Sequence, residues 1–163
     1  MRLGEGVEWA IHCCSILAAL PPGRVLPAKA LAEFHDVPAP YLAKHLQALA
    51  SAGLVEATPG RAGGYRLARS ASGITLLEVV EAVEGRTPAF RCSEIRRQGP
   101  CASDDPGAYS LPCGINRRML AAEAAWRAAL AAESLADVVA ELPRTVSPDA
   151  AAKALPWLAA RVR

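Results

Sequence analysis

The 163-residue chain lacks a long uncharged apolar run, a strong excess of one charge and the common catalytic motifs. A membrane-spanning helix needs about 20 consecutive apolar residues, and no such run exists, so we expect a cytoplasmic protein without a membrane partner. A formal net charge of +2 excludes a strongly basic coat for nonspecific nucleic-acid binding. No serine–histidine–aspartate order, glycine-rich phosphate loop or paired acid site is present, and we therefore expect neither an enzyme nor a small-molecule substrate.

What the chain does have is a helical pattern with two different faces after Ala39. Leu42, Leu46 and Leu49 recur at helical spacing and predict the buried face. The outward face then carries three side chains able to contact a DNA groove: Tyr41, Lys44 and His45. This segment is predicted to be a recognition helix.

The residues around this helix complete a pattern of helix, tight turn, helix and hairpin. A short amphipathic helix is predicted at 27–34, and Asp36 and Pro38 predict the turn that follows it. Beyond the recognition helix, β-prone runs at 55–58 and 65–68 are separated by paired glycines and predict a hairpin. The predicted fold class is mainly α, with a small β-hairpin wing on a winged helix-turn-helix domain.

The predicted wing is rich in arginine. Arg61, Arg66 and Arg69 lie on or beside it, and no acidic residue occurs between Ala57 and Ser70. Uncompensated positive charge of this kind suits a phosphate backbone. The alternative is an ordinary solvated hairpin, and the helix-turn-helix pattern upstream favours DNA over that alternative.

Four features of this region resemble the Rrf2 family of bacterial transcription regulators. They are the Tyr41-Leu42 start, Leu46-x-x-Leu49, Ala52-Gly53-Leu54-Val55 and Gly60-x-x-Gly63-Gly64-Tyr65-x-Leu67. The resemblance implies a homodimeric regulator, a repressor, that binds double-stranded operator DNA. It also implies that Arg61, Gly63 and Tyr65 of the wing contact DNA beside the recognition helix.

The chain divides into four segments on this interpretation. Residues 1–84 form the DNA-binding domain, 85–113 a cysteine-bearing loop, 114–142 a long dimerisation helix, and 143–163 a tail with a short helix. The faces of the long helix are mostly alanine and bury few large side chains, so we expect it to pack against a partner helix. The alternative is that it packs against its own winged domain.

Five cysteines in a cytoplasmic protein indicate metal or redox chemistry before structural disulfides. Cys13 and Cys14 lie on the first helix and are expected to be buried small hydrophobic residues. Cys92, Cys101 and Cys113 lie in a segment without helical or strand periodicity. A loop of this length is unusual unless it is disordered or functional, and a bound metal centre would order it.

The first helix places a carboxylate and an imidazole on one side. Glu8 and His12 are four residues apart and fall in the gap between two apolar stripes. Three interpretations stay open from these residues alone. The pair is an ordinary surface contact, part of a zinc site with the loop thiolates, or part of an iron–sulfur centre.

The family resemblance favours the iron–sulfur centre. Many members hold a cluster through three loop cysteines, and Cys92, Cys101 and Cys113 stand in that loop. Asn116 stands where IscR-like members have a histidine ligand, whereas Glu8-Trp9-x-x-His12 resembles the RsrR branch. That branch implies a [2Fe–2S] cluster held across the dimer by two cysteines of one subunit and Glu8 and His12 of the other. A [4Fe–4S] cluster is the alternative.

The choice among the cysteines and the switching residue is also a prediction. Cys113 is the first choice as ligand, and Cys101 is preferred over Cys92, which follows closely on Phe90 in a segment expected to pack. Trp9 is the candidate for the moving part of a redox switch, its alternative being a core tryptophan. Two other kinds of regulator with the same fold are alternatives. One is a cluster-free sensor of a small molecule or partner protein, and the other is a thiol–disulfide switch of Cys101 and Cys113.

Overall fold

The computed structural model describes residues 3–60 and 62–163. Over these ranges the chain forms seven α-helices, one antiparallel hairpin, and single 3-10 turns at Ala71–Gly73 and Ile95–Arg97. The regular elements are α1 (Glu5–Ala18), α2 (Ala28–His35), α3 (Ala39–Ser51), β1 (Val55–Thr58), β2 (Gly64–Leu67), α4 (Leu76–Glu84), α5 (Gly114–Ala132), α6 (Leu135–Thr145) and α7 (Pro148–Ala159). The predicted class, mainly α with a small hairpin wing, is confirmed.

The chain folds into two compact units. The winged-helix unit combines residues 3–85 with Leu130–Arg163, and the cysteine unit is the segment Arg86–Ala129. The cysteine unit contains the predicted loop, whose regular structure before α5 is the single turn Ile95–Arg97.

Helix α1 lies at the centre of the winged-helix unit. It packs against α3, α4, α6 and β2, and Ala10, Cys13 and Cys14 are completely buried. Trp9 and Ile11 are partly buried on different sides of the same core. The two apolar stripes predicted for this helix are therefore both used in packing.

The helix-turn-helix consists of α2 and α3. Helix α2 ends at Asp36, which adopts a left-handed conformation with φ of 50°, and α3 begins directly after Pro38. The three leucines predicted to be buried, Leu42, Leu46 and Leu49, are all completely buried. Burying a leucine contributes about 1.5–3 kcal/mol, so this row fixes which face of α3 is left for solvent.

The wing is the antiparallel pair β1 and β2. Glu56 lies opposite Arg66 in its register, and Ala57 lies opposite Tyr65. Leu26 forms a further bridge to Tyr65 on the other side of β2, through two backbone hydrogen bonds of 3.0 and 2.8 Å. The wing is thus tied to the chain that precedes α2.

Helix α4 begins at a capping box formed by Thr75 and Glu78. The Thr75 hydroxyl accepts from the Glu78 backbone N–H, and the Glu78 carboxylate accepts from the Thr75 backbone N–H. The helix ends at Gly85, whose φ of 84° suits a residue without a side chain.

The single long helix predicted for 114–142 is wrong. The chain forms two helices instead, because Ser134 and Asp137 make a second capping box that starts α6. The Leu76 backbone N–H donates to the Glu133 carbonyl oxygen at the break. Helix α6 then packs on α1, and Leu135 is completely buried in the core of the winged-helix unit. The alternative of packing against the chain's own winged domain is therefore correct for α6.

Helix α5 has a different environment from α6. It contains no buried residue, and Ile115, Met119 and Leu120 are exposed. An apolar surface of this kind suits a partner helix, as the sequence predicts for the dimerisation segment. Within the part of the chain that the structure covers, no helix is both long and apolar enough to cross a membrane.

Candidate nucleic-acid interface and cysteine site

The exposed face of α3 carries polar and aromatic side chains. Tyr41 is 65% exposed, and Lys44 is also exposed. Gln47, which the sequence analysis did not select, is exposed at the next position of the same i, i+3 row. The sequence already indicated Gln47 as a member of this row. Residues three apart on a helix are rotated by about 300°, which is about 60° short of a full turn, so all three side chains lie on one side of α3. Lysine and glutamine are side chains that read guanine and adenine in the major groove.

His45, predicted on this outward face, lies against α1 instead of standing free. Its side chain is half-buried, and its ring lies edge-on to Trp9 with 6.0 Å between the ring centroids. A Cβ atom added at Gly6 would come within 2.3 Å of the His45 ring, so glycine is what lets the ring pack there. His45 therefore joins the recognition helix to α1.

The predicted wing residues divide by environment. Gly63 is buried, and an added Cβ would lie 2.0 Å from the Thr58 carbonyl oxygen, so glycine is required by the turn. Tyr65 is half-buried against the core and held to Leu26 by its backbone. Arg61 lies outside the described residues. The structure thus gives Gly63 and Tyr65 a role in shaping the wing.

The prediction of uncompensated charge on the wing is wrong for two arginines. Arg66 donates to Glu56 across the strand pair, with 2.7 Å between Nη2 and Oε2. Arg69 forms an ion pair with Glu78 and a hydrogen bond to the Gly73 carbonyl oxygen. The sequence analysis missed these partners because Glu56 and Glu78 lie just outside the acid-free interval from 57 to 70.

Helix α1 displays the predicted carboxylate and imidazole. Glu8 and His12 are both exposed and line an open groove with Leu3, Glu5 and Ile11 among its other residues. Trp9, between them in sequence, is partly buried and contacts the His45 ring. A residue beside the proposed ligands therefore touches the recognition helix.

His12 also has an aromatic neighbour on α2. Its ring lies 5.3 Å from the ring of His35, which in turn lies 5.0 Å from Phe34. Burial, together with the nearby His12, lowers the pKa of His35. The Nε2 atom of His35 is buried and has no hydrogen-bond partner among the residues described. His35 is thus held as a neutral ring beside His12.

The two cysteines of α1 are core residues, as predicted. Cys13 and Cys14 are completely buried. Burial raises the pKa of each thiol to about 12, with Cys13 adding to the effect on Cys14. Protonated buried thiols are poor nucleophiles and poor metal ligands, so these two residues serve packing.

The cysteine unit brings Cys113 and Cys92 together at the start of α5. Backbone N–H groups of Asn116 and Ile115 donate to the Cys113 sulfur and lower its pKa, and Arg96 and the Cys92 thiol lower it further. The expectation that Cys92 lies in a packed segment is wrong, because its side chain is exposed. Cys92 and Cys113 thus form a pair of thiols beside one guanidinium.

Arginines organise the loop around this pair. Arg96 forms hydrogen bonds with the Glu94 carboxylate and the Leu111 carbonyl oxygen. Arg96 and Arg97 both stack on the Tyr109 ring, at 5.2 and 5.6 Å from its centroid. Cys101 is an exposed residue of the same loop. No group of three or more histidine, cysteine, aspartate or glutamate side chains is arranged to hold a metal ion within the described part of one chain.

Comparisons with known proteins agree with this architecture. The chain is 35% identical over 91 residues to YwgB of Bacillus subtilis, provisionally assigned as an HTH-type transcriptional regulator, covering 56% of this chain and 58% of YwgB. It is 33% identical over 144 residues to protein aau3 of Rhizobium meliloti, covering 88% of each chain. The chain therefore spans little more than half the length of YwgB but most of aau3.

Solved structures show the same fold at low sequence identity. The chain superposes on CymR, the global cysteine regulator of B. subtilis, with a TM-score of 0.66 and 19% identity, covering 86% of this chain and 97% of CymR. It superposes on T. potens IscR with a TM-score of 0.66 and 18% identity, covering 90% and 92%. The model of the Rrf2 family, described as an iron-dependent transcriptional regulator, matches residues 3–141. The chain therefore belongs to the Rrf2 family.

Proposed function

We propose that this protein is a homodimeric transcription regulator, a repressor, whose operator binding is switched by an iron–sulfur cluster. The observation that carries the proposal is the position of α1. This helix exposes Glu8 and His12 to solvent and, between them, packs Trp9 against His45 of the recognition helix. One helix thus carries the proposed sensor ligands and contacts the proposed reader of DNA.

DNA binding would use α3 in the major groove, with the wing beside it. Tyr41, Lys44 and Gln47 form the exposed row that contacts base edges and phosphates. His45, on the same helix, packs against Trp9 of α1 and so supports this row from the side of α1. The wing, which carries Arg61, Gly63 and Tyr65, would follow the phosphate backbone or the minor groove of the DNA. Two recognition helices in a dimer would read two half-sites.

The residues present fit a cluster whose ligands come from two separate parts of the chain. In the cysteine unit, Cys92 lies beside Cys113, and the lowered pKa of Cys113 favours its thiolate, the form that binds iron. On α1, Glu8 and His12 are exposed and one helical turn apart. Cys101 is the third candidate ligand. Neither half supplies enough donors alone, and the resemblance of Glu8-Trp9-x-x-His12 to the RsrR branch leads us to propose a [2Fe–2S] cluster shared between subunits.

A bound cluster would supply a one-electron redox centre at the dimer interface. The chain's own residues then do the coupling. Glu8 and His12 would hold α1 against the other half of the site, and a movement of these two side chains would move Trp9 with the helix. Trp9 displaces or releases His45, and the exposed row of α3 shifts with it. Operator affinity changes because the spacing of two recognition helices must match two half-sites.

The second candidate is a thiol regulator of the same fold. The contact between Cys92 and Cys113 and the lowered pKa of Cys113 favour it, because a thiolate beside another thiol is suited to oxidation. CymR, a cysteine regulator, has the same fold. The pair concerned is Cys92 with Cys113, whereas the sequence suggested Cys101 with Cys113.

An absorbance spectrum of anaerobically purified protein separates the two candidates. A cluster gives visible iron–sulfur absorption, and His12→Ala should lose or alter it although the cysteines are intact. Glu5→Ala is the matched control, since Glu5 lines the same groove as Glu8. Colourless wild-type protein would sink the cluster proposal and leave the thiol regulator.

Mixing variants tests whether the site is shared. His12→Ala and Cys113→Ala each damage a different half, so a heterodimer should contain one intact site and recover up to half of the wild-type absorption per dimer. Full wild-type absorption in His12→Ala alone, or no recovery on mixing, would contradict a ligand set that crosses the dimer.

A further inference from the structure

The segment after α6 lies beyond the family match, which ends at residue 141, and it docks on the winged-helix unit. Trp157 packs against Phe34 of α2 with 5.4 Å between ring centroids. The Arg161 guanidinium lies 3.7 Å from the centre of the Trp157 ring and 3.8 Å from the Glu33 carboxylate. Leu158 is also packed against the core. Helix α7 is therefore attached by aromatic, cationic and apolar contacts at once.

The backbone beyond α7 continues this attachment to the wing. The Val25 N–H donates to the Arg163 carbonyl oxygen, and the Arg163 N–H donates to the Val25 carbonyl oxygen, both at 3.0 Å. The next residue, Leu26, makes the same kind of reciprocal pair with Tyr65 of β2. Neighbouring residues of an extended chain direct their backbone groups to opposite sides, so Val25 and Leu26 lie between Arg163 and the wing.

The Arg163 side chain reaches past this layer to the wing turn. Its Nη1 donates to the Gly63 carbonyl oxygen over 3.4 Å. Gly63 closes the turn through its own N–H, which donates to the Gly60 carbonyl oxygen at 2.9 Å. The turn is tight, because a Cβ at Gly63 would collide with the Thr58 carbonyl oxygen. Holding one carbonyl of so short a turn constrains the direction of the whole turn.

We propose that residues 148–163 brace the wing and set the orientation in which its turn meets DNA, with Arg163 as the positioning residue. The inference rests on the proposed DNA binding. The contacts of the tail run from α2, at Phe34 and Glu33, to the wing turn, at Gly63. The brace thus connects the first helix of the helix-turn-helix to the wing and fixes their relative orientation. Arg163 acts through the turn that carries Arg61.

Arg163→Ala tests the brace, with binding measured on a duplex selected by the wild-type protein from a random library. We expect affinity to fall about three- to tenfold, with loss of hydroxyl-radical protection where the wing lies. Guanine N7 protection in the major groove should persist, since α3 is untouched. Arg163→Lys should recover part of the affinity. Lys153→Ala is the matched control, because it removes one positive charge from α7, where Lys153 pairs with exposed Asp149.

A double-mutant cycle separates positioning from direct contact. If Arg163 acts through the wing turn, Arg163→Ala should have little further effect in an Arg61→Ala background. Additive losses, or equal affinity of Arg163→Ala and wild type, would overturn the brace. Failure of the wild-type protein to select any DNA would instead refute the proposed function itself. Thermal unfolding of each variant checks that the fold is retained.

Discussion

Replacing Lys44 with alanine gives the sharpest test of the DNA interface. Lys44 is exposed on α3, and none of the ion pairs found in residues 3–60 and 62–163 involves it. A good contact to a base is worth about 1–3 kcal/mol of discrimination, which corresponds to roughly 5- to 150-fold for each half-site. Lys44→Ala should therefore weaken binding to a selected two-half-site operator by at least this factor, and binding to random duplex much less.

Arg66→Ala is the matched control for this experiment. It removes the same formal charge from the same unit, but Glu56 already holds the Arg66 guanidinium at 2.7 Å. Because Glu56 already compensates this guanidinium, Arg66→Ala should change DNA affinity much less than Lys44→Ala does. Fluorescence anisotropy on selected and random duplexes gives both affinities. Two outcomes would refute base reading by α3. One is an equal loss of affinity in Lys44→Ala and Arg66→Ala, and the other is a loss in Lys44→Ala that is as large on random duplex as on selected duplex.

Three further predictions concern the unloaded protein. With limiting iodoacetamide at pH 7, mass spectrometry should find Cys113 alkylated before Cys101, because the pKa of Cys113 is lowered. Cys13 should stay unmodified in the folded state, because burial raises its pKa. Equal alkylation rates for Cys113 and Cys101 would contradict a thiolate at Cys113. Because the pKa of His35 is lowered in the fold, the unfolded state takes up a proton first as pH falls through the ordinary value of 6.5, so urea-unfolding stability should decline there. His35→Phe should flatten this decline, and an unchanged pH profile would show that His35 is not its source. Leu135→Ala should cost about 2–5 kcal/mol in the same assay, since Leu135 is completely buried; a cost below about 1 kcal/mol would contradict the packing of α6 on its own domain.

Local signals in the sequence predicted much of the winged-helix unit. Three leucines at helical spacing placed the inner face of α3, and Thr75 and Glu78 have the spacing of a capping box at the start of α4. Both signals act over one helical turn, which is why they survive without knowledge of the rest of the fold. The break between α5 and α6 has the same kind of signal, Ser134 with Asp137, and the run of alanines around it concealed the boundary.

The partners of the wing arginines depended on tertiary structure. Glu56 faces Arg66 only because of the register of β1 and β2, and Glu78 reaches Arg69 from the next helix. The environment of His45 is a similar case, because a helical-wheel projection of α3 cannot show that Gly6 of α1 leaves room for the His45 ring. Docking of α7 on Phe34 likewise joins residues more than a hundred positions apart. Charge and exposure at a site are set by such contacts, so a motif locates the site more reliably than it describes it.

The contact between Trp9 and His45 is of a size that suits a switch. Edge-on aromatic pairs with centroids 4.5–7 Å apart contribute about 0.5–1.5 kcal/mol beyond the area they bury, and this pair lies at 6.0 Å. A dimer contains two such contacts, so making or losing both changes the free energy by about 1–3 kcal/mol. Allosteric couplings typically fall in that range, which corresponds to roughly 5- to 150-fold in affinity. In the proposed switch, one ring contact per subunit would therefore be enough to couple a movement of α1 to operator binding, without any rearrangement of the leucine core beneath α3.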